Sequence, residues 1–172
     1  MPPSRPIVAP PHFVVRRQAA LPAAGSRLRV AVLAGGPSAE HAISLASGRA
    51  VADGLTARDC RVTLISLNAV RVESQRTSET EIEAARRQLS LIDWNLFDVA
   101  FNALHGSFGE DGGLQSLLES FGVPYTGSGP EASRLGFHKG AAKERLRACG
   151  IATPGGVTFD ADWSDDRLES AA

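Results

Sequence analysis

Leu28 to Ala34 is a mostly apolar run of strand length that ends on Gly35-Gly36, and helix-spaced apolar residues begin a few positions later. That junction restricts the chain more than any other feature. A strand with few polar positions is buried on both faces, as strands of parallel sheets are. Ile43, Ala46, Ala50, Val51 and Leu55 predict an amphipathic helix from about residue 39 to 55, with Ser38 as its N-cap and Gly54 near its end.

The alternation continues. Val62 to Leu67 predicts a second strand. Residues 78–92 predict a second helix, with Ser78 as cap and Glu79, Glu81 and Glu83 at the positive end of its dipole. Phe97 to Leu104 predicts a third strand, which runs into a loop from His105 to Gly113. Leu114, Leu117, Leu118 and Phe121 then form a helical stripe, Val123 to Thr126 is a short extended piece, and Gly127 to Gly129 turn the chain. Residues 131–136 and 139–149 read as helices, the second stopped by Gly150, and Val157 to Phe159 starts another extended piece before an acid-rich tail. Strands alternating with helices imply an α/β fold, an open parallel sheet with helices on both faces.

Composition narrows the function. With 43% hydrophobic residues the chain can bury a core, and a net charge of −1 leaves no basic footprint for nucleic acid. Only 6% of residues are aromatic, so a base-stacking platform is not expected. No apolar run reaches the ~18 residues of a membrane span. Cys60 and Cys149 form neither a disulfide framework nor a CxxC pair, which suits a reducing compartment. Residues 1–26 stand apart: they hold Pro2, Pro3, Pro6, Pro10, Pro11 and Pro22, and no acid precedes Glu40. They read as a disordered arm or the product of a start codon set too early, or as an organelle leader whose prolines oppose the usual helix.

Ligands of open α/β sheets gather outside the carboxyl ends of the strands. Two glycine-bearing loops leave such ends here, Gly35 to Glu40 and His105 to Gly113, so Glu40, His105 and Glu110 are expected in one region. The first loop is neither GxGxxG nor a P-loop. Glu40 reads either as a helix-start acid or as a carboxylate for the ammonium group of a small substrate. His105 reads either as a structural histidine or as one held in a single tautomer by Glu110 or Asp111. His41 and His138 complete no HxH or HExxH pattern, so no zinc site is expected. Ser107 lacks a nucleophile elbow. Cys149 reads as helix packing.

Three strings occur in order: VAVLAGGPSAEHAISLASG, FDVAFNALHGSFGEDGGLQSLLE and VPYTGSGPEASRLGFHKGAAKERLRACGIATP. Together they resemble the amino-terminal part of the D-alanine–D-alanine ligases, members of the ATP-grasp superfamily, over about residues 28–159. The resemblance implies a Rossmann-like pre-ATP-grasp domain at residues 27–128, and the start of a central region with a tail at 129–172. It also implies an activity, ATP-dependent formation of the D-alanyl-D-alanine dipeptide for peptidoglycan through an acyl phosphate, in the cytoplasm. By match, Glu40 is the catalytic and substrate-binding acid that orients the first D-alanine, His105 lines the same site, and Lys139 touches the nucleotide phosphates. His138 stands where the family commonly has Asp.

The implied partners are D-alanine, ATP and either a missing ATP-grasp half or a second copy. Family members are roughly twice as long, and their adenine pocket and ligands for Mg or Mn are not expected in this chain, which alone should be inactive. Apolar surface around Leu146, Ile151 and Val157 is then expected to lie open. The alternative is a non-catalytic module that binds a small amino acid or a ligase subunit.

Overall fold

A computed structural model describes residues 26–67 and 80–156. The arm up to residue 25, Ser78, Glu79, Val157 to Phe159 and the acid-rich tail lie outside the described residues. The elements run β1 (Arg29–Gly35), α1 (His41–Thr56), β2 (Arg61–Leu67), α2 (Glu81–Ser90), β3 (Val99–Asn102), α3 (Gly113–Ser120), α4 (Pro130–Phe137) and α5 (Lys139–Ala148). The sheet order is β2-β1-β3, all parallel, with Val32 opposite Leu64 on one side and Phe101 on the other. Tyr125 adds a single parallel bridge to Ala100 beyond β3.

Central β1 is buried along nearly its whole length, and its alternation divides the core. Val30 and Val32 join Val51 and Leu55 of α1, with Val62 and Val99, on one face. Leu33 joins Leu89 of α2 and Leu114 and Leu118 of α3 on the other. The expected open parallel α/β sheet with helices on both faces is the observed fold.

Local boundaries shift for identifiable reasons. The cap of α2 is Thr80: its Oγ1 accepts from Glu83 N at 3.2 Å, and Glu83 Oε2 accepts from Thr80 N at 2.8 Å. This reciprocal box satisfies two of the helix's free N–H groups. The third strand is shorter than the apolar run, because Trp94–Leu96 forms a 3-10 turn capped by Asp93 and the ladder begins at Val99. Asp98, just before it, accepts from the Arg29 guanidinium at 2.7 Å and from Arg29 N at 2.8 Å. Those bonds hold the Asp98 carboxyl below the usual range, side-chain bonding first.

Helix α1 is rotated from the expected stripe. Ile43 is 60% exposed, and the fully buried positions are Ser44 and Gly48. The helix lies too close to the sheet at its middle for a larger residue: a β-carbon on Gly48 would overlap the Ala34 side chain and stand 3.3 Å from Leu64. Gly48→Ala improves helix propensity by about 1 kcal/mol, but overpacking costs about 1–3 kcal/mol. The expected result is a net loss of stability in urea titration, larger for Gly48→Val. Gly54, which has open space around it, should instead gain stability as Ala. Equal midpoints for both alanine variants would contradict the close approach.

Helices α4 and α5 contribute no buried residue. Leu146 and Ile151 are 40% and 52% exposed, as expected. The end of α5 is a Schellman turn, with Gly150 N donating to Arg147 O and Ile151 N to Leu146 O.

Candidate functional site

Because β1 and β3 are adjacent and parallel, their carboxyl-end loops meet. Ser38 does not cap α1; the N-cap position is Glu40, whose side chain makes no cap bond. Ser38 Oγ instead donates to His105 O at 2.6 Å and accepts from Glu40 N at 3.2 Å. One hydroxyl therefore joins the start of α1 to the third-strand loop. Gly106 makes this possible: its φ is +70°, and a β-carbon there would come 2.8 Å from Glu40 Oε2 and 3.0 Å from Ser38 Cβ. The Glu40 carboxylate thus rests against Gly106, one residue from His105.

Two further serines of α1 reach the same region. Buried Ser44 Oγ accepts from Gly35 N at 2.8 Å and donates to Ala103 O at 2.7 Å, joining the ends of β1 and β3. Ser47 Oγ lies 3.2 Å from His105 Nε2. Neither serine stood out in the sequence, although both follow Glu40 at helical offsets, four and seven residues on.

The loop after β3 is held by its own side chains. Phe108 is buried in the core at φ +69°, with the Arg86 guanidinium 5.9 Å from its ring centroid. Asp111 accepts from Phe108 N at 2.9 Å and Gly113 N at 2.8 Å, so it shapes the turn into α3. Glu110 Oε2 accepts from Gly106 N at 2.9 Å, and Glu110 Oε1 stands 3.8 Å from His105 Nδ1. Of the two carboxylates expected near the imidazole, Glu110 is beside it and Asp111 is committed to the backbone. Asn102 Nδ2 and Gln115 Nε2 both donate to Gly109 O at 2.8 Å.

A cavity of about 490 Å³ opens between this loop, the 126–128 turn and α4. His105, Glu110 and Lys139 line it, with Asn102, Gln115 and Phe137. Glu40 is not among its lining residues. Lys139 is exposed, and among the described residues its Nζ makes only a long contact, 3.4 Å, to Gly136 O. Its backbone is supported: His138 Nδ1 accepts from Ala141 N at 3.1 Å and caps α5, the work an Asp would do there. His41 Nδ1 lies 2.8 Å from Gly36 O and steadies the first loop.

Cys149 is exposed at the end of α5, so it is not a packing residue. Among the described residues, no three His, Cys, Asp or Glu side chains are grouped to hold a metal ion. None of the described helices is long and apolar enough to cross a membrane.

A parallel α/β domain with a polar cavity at its strand ends is a ligand-binding architecture. The family model for the D-ala D-ala ligase N-terminus matches residues 29–128, and the chain belongs to that family. The D-alanine–D-alanine ligase of Anaeromyxobacter sp. (strain Fw109-5) is 45% identical over 123 residues, covering 72% of this chain and 34% of its own length. The chain thus spans about a third of the length of the curated relatives it matches. The structure of the Bacillus anthracis D-alanine–D-alanine ligase complexed with ATP superposes with a TM-score of 0.59 at 30% identity, over 84% of this chain and 43% of that one. The Aeromonas hydrophila ligase gives 0.62 at 28% identity, over 84% and 55%.

Proposed function

We propose that this chain supplies the amino-terminal, substrate-holding part of an ATP-dependent D-alanine–D-alanine ligase, which makes the dipeptide of peptidoglycan in the cytoplasm. The observation that carries the reading is the 2.6 Å bond from Ser38 to His105 O, which joins the Glu40 and His105 loops beside the cavity that Lys139 also lines. Glu40 takes the ammonium group of the first D-alanine and acts by positioning it. His105 lines that amino acid's site. Lys139, an exposed ammonium with one long contact among the described residues, fits a nucleotide phosphate. When bound, ATP supplies the phosphoryl group that activates the first D-alanine's carboxylate.

The described residues do not fit a metal site, so Mg or Mn belongs to other parts of a complete ligase and no step is routed through it here. A domain division at residue 128 belongs to the same proposal, supported by the absence of buried residues in α4 and α5. The partner is a separate ATP-grasp half, or else the chain associates with a second copy of itself. A non-catalytic module is not favoured, since the relatives are named as ligases.

The test joins residues 28–159 to the ATP-grasp half of a relative. The folded chimaera is expected to release phosphate and form dipeptide from D-alanine, ATP and magnesium, and to ignore L-alanine. The unjoined chain is the control, with no turnover expected. A folded chimaera that binds ATP yet makes no dipeptide would overturn the reading.

A further inference from the structure

Ser47 lies on α1 with its hydroxyl directed at His105 Nε2 across 3.2 Å. Among the described residues it makes no other side-chain hydrogen bond, and nothing in the sequence patterns above assigned it a role. The other ring nitrogen, Nδ1, has Glu110 Oε1 at 3.8 Å, beyond hydrogen-bonding distance but close enough for electrostatics. Glu110 is itself fixed through Oε2 by Gly106 N at 2.9 Å. The remaining charges at the site are the Glu40 carboxylate against Gly106 and Lys139 on the cavity wall.

From this geometry we infer that Ser47 is a positioning residue that, together with Glu110, sets which nitrogen of His105 is offered to a ligand. The Glu110 carboxylate favours the proton on the nearer nitrogen, Nδ1. The Nε2 lone pair then accepts from the Ser47 hydroxyl. If the ring gains a second proton, the same hydroxyl turns and accepts, because serine is both donor and acceptor. The ring is therefore held in one orientation in either charge state. Nε2 is engaged by the Ser47 hydroxyl. Nδ1–H, which has no hydrogen-bond partner among the described residues, is the ring's free donor beside the cavity. It suits a carboxylate or carbonyl oxygen of a small ligand. The identity of that ligand as D-alanine rests on the function proposed above; the tautomer does not.

The experiment uses the full 172-residue chain and multiple-bond ¹H–¹⁵N spectra of its imidazoles, at a pH where the rings are neutral. The His105 signals are identified by their loss in His105→Asn. The expected result is a protonated Nδ1 and an unprotonated Nε2. Ser47→Ala should shift the ring towards Nε2–H, the form favoured by free imidazole side chains, and Ser47→Thr should restore Nδ1–H. A purely structural serine would leave the tautomer unchanged. An Nε2–H ring in the native chain, or unchanged spectra in a folded Ser47→Ala, would overturn the inference. If Ser47→Ala does not fold, the native spectrum alone decides. Neither D-alanine nor ATP is present, so failure here is separate from failure of the ligase chimaera.

Discussion

Ser44→Ala is expected to destabilise the domain by about 2–6 kcal/mol, because it leaves two buried backbone groups without partners. The hydroxyl has no exposed surface and bridges Gly35 N and Ala103 O at 2.8 and 2.7 Å. Both groups lie where the strands give way to loops, so the ladder does not replace the lost bonds. Each orphaned polar group costs about 1–3 kcal/mol, a large share of the ~5–15 kcal/mol that holds a typical domain together. The measurement is thermal unfolding followed by circular dichroism, with a fall in Tm on the order of 10 °C. Ser120→Ala, which removes an exposed hydroxyl bonded to Leu117 O, is the control and should change little. Equal melting of the two variants would show that Ser44 does not join the strand ends.

The second large effect concerns Glu40, in the ligase chimaera. Glu40→Gln keeps the side chain's size and one acceptor oxygen and removes its charge. If the carboxylate holds the ammonium group of the first D-alanine, the charge-assisted bond is worth roughly 1.5–3 kcal/mol, about ten- to a hundredfold in efficiency for that substrate. Stability should hardly change: Glu40 occupies the N-cap position of α1, but its side chain makes no cap bond. The effect should fall on D-alanine kinetics and leave the ATP dependence nearly unchanged, since Glu40 lies outside the lining of the cavity that contains Lys139. If both chimaeras use D-alanine equally well, Glu40 only complements the helix dipole.

Much of the candidate site was legible because its residues lie in short local strings. The glycines after β1 and β3 mark the loops, and parallel topology requires those loops to share one end of the sheet. Glu40, His105, Glu110 and Lys139 could be named from their strings alone. Their division of labour could not. Glu110 and Asp111 are adjacent in sequence, yet one faces an imidazole and the other folds back onto Phe108 N and Gly113 N. Phe108 is buried at φ +69° and donates its N–H to Asp111, which ties that carboxylate to the loop's own backbone.

What the sequence by itself determined is the order of elements and the faces of the strongest ones. The apolar β1 run reads as a buried parallel strand, as it is, and the stripe of α3 buries Leu114 and Leu118 completely, as its spacing predicts. Tertiary structure alone decided how α1 meets the sheet. Its spacing favoured a face containing Ile43, but the helix turns Ser44 and Gly48 inward. Ser44 bonds two strand ends, and Gly48 is small enough to lie on Ala34. Hydrophobic periodicity counts apolar surface; it does not register the backbone groups a hydroxyl must satisfy or the room that a missing side chain leaves. Those two quantities set the rotation of α1, and that rotation brings Ser47 to His105.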